Sequence, residues 1–172
     1  MNIIQRNQFI HAIEHILHVP GNYRGGILEM TVVLDTGYPM EEAKAIIKDH
    51  LSVLKQHSDL FSNVRLNLVI WDADETITNT VTSMSMLMLG RGLPSQEESQ
   101  STSGKSPELL CDYLKKFHAR SKILLLFTKE NYVIQEKEVL QNCLQPFLGR
   151  KLLILNGDNV MTAAEYLTPH TA

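Results

Sequence analysis

Four apolar runs, ILEMTVVLD (27–35), VRLNLVIW (64–71), KILLLFT (122–128) and KLLILN (151–156), recur along the chain with amphipathic or polar stretches between them. Continuous rather than alternating hydrophobicity marks a strand buried on both faces. Parallel strands need crossovers, and helical crossovers cover both faces of the sheet they join. The pattern predicts an α/β fold, a three-layer α/β/α sandwich around a mostly parallel, doubly wound, Rossmann-like sheet with one antiparallel edge strand. A chain of 172 residues with 44% hydrophobic content can bury one such core, and two would be cramped. A single domain over 1–172 is expected.

The helical segments follow from period and punctuation. Phe9, Ile10, Ile13, Ile16 and Leu17 share one face of a leading helix within residues 1–20. Gly37 and Pro39 mark a turn after the first strand, and a helix then runs to about His57 with Met40, Ala43, Ile47, Leu51 and Leu54 turned inward. MSMLML (84–89) alternates methionine with serine and leucine and is predicted as the third, antiparallel edge strand. Residues 90–105 are too poor in apolar groups to offset their ordering entropy and read as a mobile loop. Ser106-Pro107-Glu108 combines an N-cap hydroxyl, a first-turn proline and an acid, which starts a helix whose buried stripe is Leu109, Leu110, Tyr113, Leu114 and Phe117. Further helices are expected over about 134–147 and 161–167, the last strand being 151–156.

Composition narrows the partners. Sixteen basic against nineteen acidic residues leave a formal charge of −3, so nucleic acid is not an expected ligand. No run approaches the ~20 apolar residues a membrane helix needs. Cys111 and Cys143 occupy apolar helix positions, where a free thiol packs as a small hydrophobe, which fits a reducing compartment. The segment MNIIQRNQFIHAIEH has no unbroken apolar stretch of the kind a secretory signal needs. A cytoplasmic protein is the expectation.

In open parallel sheets, ligands gather outside the carboxyl ends of the strands. Asp35 ends the first strand, Asp72 and Asp74 the second, Thr128 the fourth, and Asp158 follows the fifth. With the first two strands adjacent, Asp35 and Asp72 would repel unless a proton or cation lay between them. Magnesium, a hard ion with oxygen ligands, would suit that pair. The competing reading makes these acids the polar rim of the sheet, with no cofactor.

Two resemblances bear on the choice. Ile70-Trp71-Asp72-Ala73-Asp74-Glu75-Thr76 resembles the first motif of haloacid-dehalogenase-type phosphohydrolases, and Phe127-Thr128 resembles their second. That resemblance implies a magnesium-dependent hydrolase with Asp72 as nucleophile, Asp74 as proton carrier and Thr128 as phosphate holder. It covers residues 66–128. TVVLDTGYPM (31–40) is similar to the opening of a von Willebrand factor A-type domain, and VRLNLVIWDADETI, MSMLML, SPELLCDYL and KILLLFT follow in that family's order. The second resemblance spans nearly the whole chain and implies a protein-interaction module, part of a larger assembly, whose partner is another protein. Gly37 and Pro39 stand where that family's loop has two serine ligands, and Lys129 follows Thr128 where an aspartate is common. The metal site, if kept, would rest on Asp35 and Asp72 in degenerate form.

Three smaller signals compete for attention. His11-Ala12-Ile13-Glu14-His15 spells H-x-x-E-H, but its histidines lie opposite Phe9, Ile13 and Ile16 and read as a solvated face. Gly104-Lys105-Ser106 lacks the first glycine and the preceding strand of a phosphate-binding loop. Trp71 reads as a packed core residue more than a ligand platform.

Overall fold

Each of the four apolar runs forms a strand in the computed structural model, which describes residues 1–18, 23–72, 77–94, 107–129, 137–147, 151–157 and 159–166. In chain order the elements are α1 (Ile3–His18), β1 (Leu28–Asp35), α2 (Met40–His57), β2 (Val64–Trp71), β3 (Ile77–Thr82) and α3 (Met84–Met88). Then come α4 (Pro107–Phe117), β4 (Ile123–Phe127), α5 (Lys137–Leu144), β5 (Leu152–Asn156), β6 (Asn159–Thr162) and α6 (Ala163–Tyr166). The strands form one sheet in the order β3-β2-β1-β4-β5-β6. Its four inner strands run parallel, and β3 and β6 close the two edges antiparallel.

Successive residues of a strand point to opposite faces, and the core divides accordingly. Met30, Val32 and Leu34 of β1 join Leu66 and Leu68 of β2, Leu125 and Phe127 of β4, and the buried stripes of α1 and α2. Val33, Val69, Trp71, Leu124 and Leu126 face the other way, against Leu110 and Leu114 of α4 and Leu144 and Phe147 at the end of α5, whereas Leu109 and Phe117, expected in the buried stripe of α4, are exposed. Helices thus cover both faces, and the mostly parallel α/β arrangement expected from the apolar runs is present. Trp71 is fully buried in the second cluster, where a packing role had been expected. Cys111 and Cys143 meet there too as free, buried thiols, and the Cys143 side chain, then burial, push the Cys111 thiol up. Among the described residues no helix is long and apolar enough to cross a membrane.

Two segments differ from expectation. MSMLML is not the third strand. Residues 84–88 are helical, with Met84 and Leu87 buried at helical spacing and the Ser83 hydroxyl accepting the Met86 N–H at 3.2 Å. Methionine and leucine favour a helix once a serine caps it. The third strand is instead ITNTVT, rich in β-branched residues but largely exposed, so no hydrophobic period reveals it.

At the other edge, residues 159–162 form a strand rather than the start of a helix. Asn156 pairs with Asn159 across a two-residue connection in which Gly157 has φ 61°, a hairpin geometry that glycine permits. Only Ala163–Tyr166 is helical, and its entrance is a reciprocal capping box. Thr162 N–H donates to Glu165 Oε2 at 2.9 Å while Glu165 N–H donates to the Thr162 hydroxyl at 3.3 Å. The sheet therefore has two antiparallel edges where one was expected. The body of the expected loop, 95–105, lies outside the described residues, as do Ser106 and the start of the helix expected from 134.

His118, just beyond α4, is 3% exposed, and among the described residues neither ring nitrogen has a hydrogen-bond partner. Burial lowers its pKa below the ordinary imidazole range, partly opposed by the Glu29 carboxylate on β1. A histidine whose folded pKa is depressed favours folding above its unfolded pKa and loses that contribution as pH falls through the folded value. Stability is therefore expected to drop as pH falls below about 6.5. In His118→Gln the same acidification should lower the melting temperature less, which thermal unfolding across that range checks.

Candidate functional site

Residue register decides which polar groups meet at the carboxyl end of the sheet. Asp35 pairs with Trp71 on one side, and Leu34 pairs with Phe127 on the other, so Asp35 lies between Trp71 and Thr128, with Asp72 one residue further on. Asp35 and Thr128 are both 0% exposed, and Asp72 is half-buried.

The Asp35 carboxylate is engaged within the chain. Its Oδ2 accepts the Thr128 hydroxyl at 2.7 Å, and its Oδ1 accepts the Gly37 N–H at 2.9 Å. The second contact is an Asx-turn, in which a side chain bonds the backbone two residues on and shapes the exit from the strand. Tyr38 N–H donates to the Asp35 carbonyl at 3.0 Å and closes the same turn. Thr128 is held from the other side, its N–H donating to the Leu155 carbonyl at 3.2 Å.

Asp72 has a different hydroxyl. Thr36 donates to Asp72 Oδ1 at 3.0 Å while its N–H donates to the Trp71 carbonyl at 3.1 Å, continuing the ladder between β1 and β2. The two aspartates thus stand on neighbouring strands, as expected, but each has its own threonine. Lys129 pairs with Glu42 of α2 and lies 5.2 Å from the centre of the Tyr38 ring, so a fixed positive charge sits at this rim.

No protein-family model matches the chain, and no curated protein sequence matches it at a significant level. The side chains themselves must carry the chemical reading. A hard divalent ion takes about six oxygens. Each oxygen of Asp35 already accepts one bond from the chain, and neither Gly37 nor Pro39 has a hydroxyl to offer a cation. Among the described residues no group of three or more histidine, cysteine, aspartate or glutamate side chains is arranged to hold a metal. The described oxygen donors at this rim are Asp35, Thr36, Asp72 and Thr128.

The hydrolase residues are spread apart. Asp72 directly follows β2 and Thr128 directly follows β4, with β1 and the buried Asp35 between those strands. Two strand spacings separate the flanking chains by about 9.5 Å. The Thr128 hydroxyl is directed at Asp35 rather than towards a group on Asp72. Asp74 and Asp158 lie outside the described residues, as does the tripeptide 104–106.

His11 and His15 are exposed and line a groove of about 320 Å³ between α1 and the β5–β6 hairpin. Glu14, the acid of H-x-x-E-H, instead bonds His57 Nε2 at 2.7 Å. Sequence reading did not anticipate the roles of Thr36 and Gly37. The string Asp35-Thr36-Gly37 did carry a signal, since Asp followed two residues later by Gly is a turn pattern.

Proposed function

We propose that the chain is a protein-interaction module of von Willebrand A type in which a hydrogen-bonded aspartate stands where a cation would sit. One observation carries this reading. Asp35 ends the strand at the centre of the order β3-β2-β1-β4-β5-β6, flanked by Asp72 and Thr128, and both of its oxygens accept bonds from the chain. A carboxylate held by a neutral hydroxyl and an amide of its own chain has internal donors to position it without a metal. The partner is another protein, met at the rim formed by Asp72, Lys129 and Glu42, in a cytoplasmic assembly. Such a transfer from fold to role is analogy, and it rests on the site more than on the architecture.

The competing chemistry is phosphoester hydrolysis through an Asp72 nucleophile. With purified full-length chain and an aryl phosphate, no magnesium-dependent turnover is expected, and millimolar magnesium should leave the melting temperature unchanged. Turnover that Asp72→Asn abolishes while the fold survives would sink the module reading. In cells, a photo-crosslinker at Lys129 should capture a discrete protein that the same group at Lys48, exposed on α2, does not.

A further inference from the structure

At the opposite end of the sheet, where β1 and β4 begin, the charge is reversed. A pocket of about 380 Å³ is lined by Tyr23, Arg24, Glu29, Arg120 and Lys122, with the Gly25 backbone and Ile27 completing it. Three cations against one acid make this a positive cavity in a chain whose formal charge is −3. We propose that it binds a small phosphate monoester that also carries a hydroxyl group. The site is separate from the rim at Asp35 and does not depend on the role given to that rim.

The walls are fixed by contacts that do not involve the ligand. On one side, the Tyr23 hydroxyl donates to the Gly26 carbonyl at 2.9 Å and closes the loop that carries Arg24. Gly25 and Gly26 have φ of 94° and 86°, and among the described residues nothing lies within 4 Å of the position a Cβ would take at either. The loop's bend needs glycine, and it leaves open space beside the backbone. On the other side, Ser121 is buried between Arg120 and Lys122, its hydroxyl 2.6 Å from that of Thr31. Lys122 N–H donates to the Glu29 carbonyl at 2.8 Å, and Lys151 Nζ donates to the Ala119 carbonyl at 2.7 Å. Arg120 and Lys122 therefore project from a pinned segment, which limits the ordering that binding must impose.

Charge and volume select the ligand class. A phosphate monoester carries about −1.5 to −2 near neutral pH, and three cations with one carboxylate leave a complementary surplus of two. Guanidinium groups present paired donors that match phosphate oxygens, and two of the three cations are arginines. Glu29 would repel a bare anion, yet it can accept a hydrogen bond from a ligand hydroxyl. A cavity near the lower end of the usual range for small ligands fits a phosphate with a few attached carbons.

Calorimetric titration of the full chain at low ionic strength tests the assignment, with glycerol phosphate and inorganic phosphate as probes. Both should bind, glycerol phosphate more tightly. Arg24→Gln with Arg120→Gln should weaken both by at least about tenfold, because each removes a charge-assisted hydrogen bond, while the melting temperature holds. Lys48→Gln, which removes one charge away from the pocket, should change neither. Glu29→Gln should narrow the preference for glycerol phosphate by tightening inorganic phosphate. No measurable heat with either probe, or equal weakening by Lys48→Gln, would overturn the site. A Glu29→Gln protein that keeps the full preference would overturn the hydroxyl contact.

Discussion

Asp35→Ala should lower the free energy of unfolding by roughly 2–4 kcal/mol, since two donors at the sheet rim lose their acceptor and each such loss costs about 1–3 kcal/mol. The buried Thr128 hydroxyl bears most of it, and the half-buried Gly37 N–H bears less. Thr128→Val should cost about 1–2 kcal/mol, because it removes the donor and leaves the rest of the carboxylate's contacts in place. If the two act as one unit, the double variant should be less destabilised than the sum, with a coupling of about 0.5–3 kcal/mol for residues in direct contact. Chemical denaturation of the four proteins gives all of these values.

The sign of the first effect separates two explanations of a buried aspartate at this place. Binding sites often hold groups in arrangements that are unfavourable without their ligand, and removing such a group stabilises the empty protein. A carboxylate waiting for magnesium should therefore give a more stable Asp35→Asn protein when no metal is added. A carboxylate that serves as an internal acceptor for Thr128 and Gly37 should give a less stable one. Asparagine retains one acceptor oxygen, so a smaller loss than in Asp35→Ala is expected, and a gain in metal-free buffer would return Asp35 to the metal reading.

The parts of this fold that could be read from the chain are those in which burial is imposed on both sides. β1, β2, β4 and β5 are apolar at almost every position because helices cover both faces, and no helical period can hide inside them. β3 and β6 sit at the edges, where few positions are buried, so hydrophobic pattern is silent there. ITNTVT was legible only through its β-branched residues, while MSMLML offered a period of two over six residues that a helix capped by Ser83 satisfies as well. In the site, Asp35, Asp72 and Thr128 could be placed because each ends or follows an apolar run. Their pairing could not, since the bond from Thr128 to Asp35 joins residues 93 apart and depends on strand order. The positive pocket was hidden for the same reason: Arg24, Arg120 and Lys122 are scattered in sequence, and the net charge has the opposite sign.

Phe9→Ala should cost about 3–5 kcal/mol, the range for truncating a buried aromatic side chain. Phe9 is 0% exposed and meets the His50 ring edge-on, with centroids 4.7 Å apart, and His50 in turn meets Phe127 edge-on at 5.6 Å. This row of rings runs from α1 through α2 to β4 and ends at the residue before Thr128. The His50 ring nitrogen Nδ1 is 2.8 Å from the Ile46 carbonyl, which fixes the ring that both phenylalanines touch. Phe9→Leu keeps most of the apolar volume and should cost less, so the difference between the two variants measures the cavity and the ring contact together. The outcome also decides whether α1 belongs to the folding unit. If it does, Phe9→Ala lowers the denaturation midpoint in one cooperative step, whether followed by helix content or by the environment of Trp71 on the far face of the sheet. If α1 were an appendage, helix signal would be lost in a separate early step while the Trp71 transition stayed where it was in the unaltered protein.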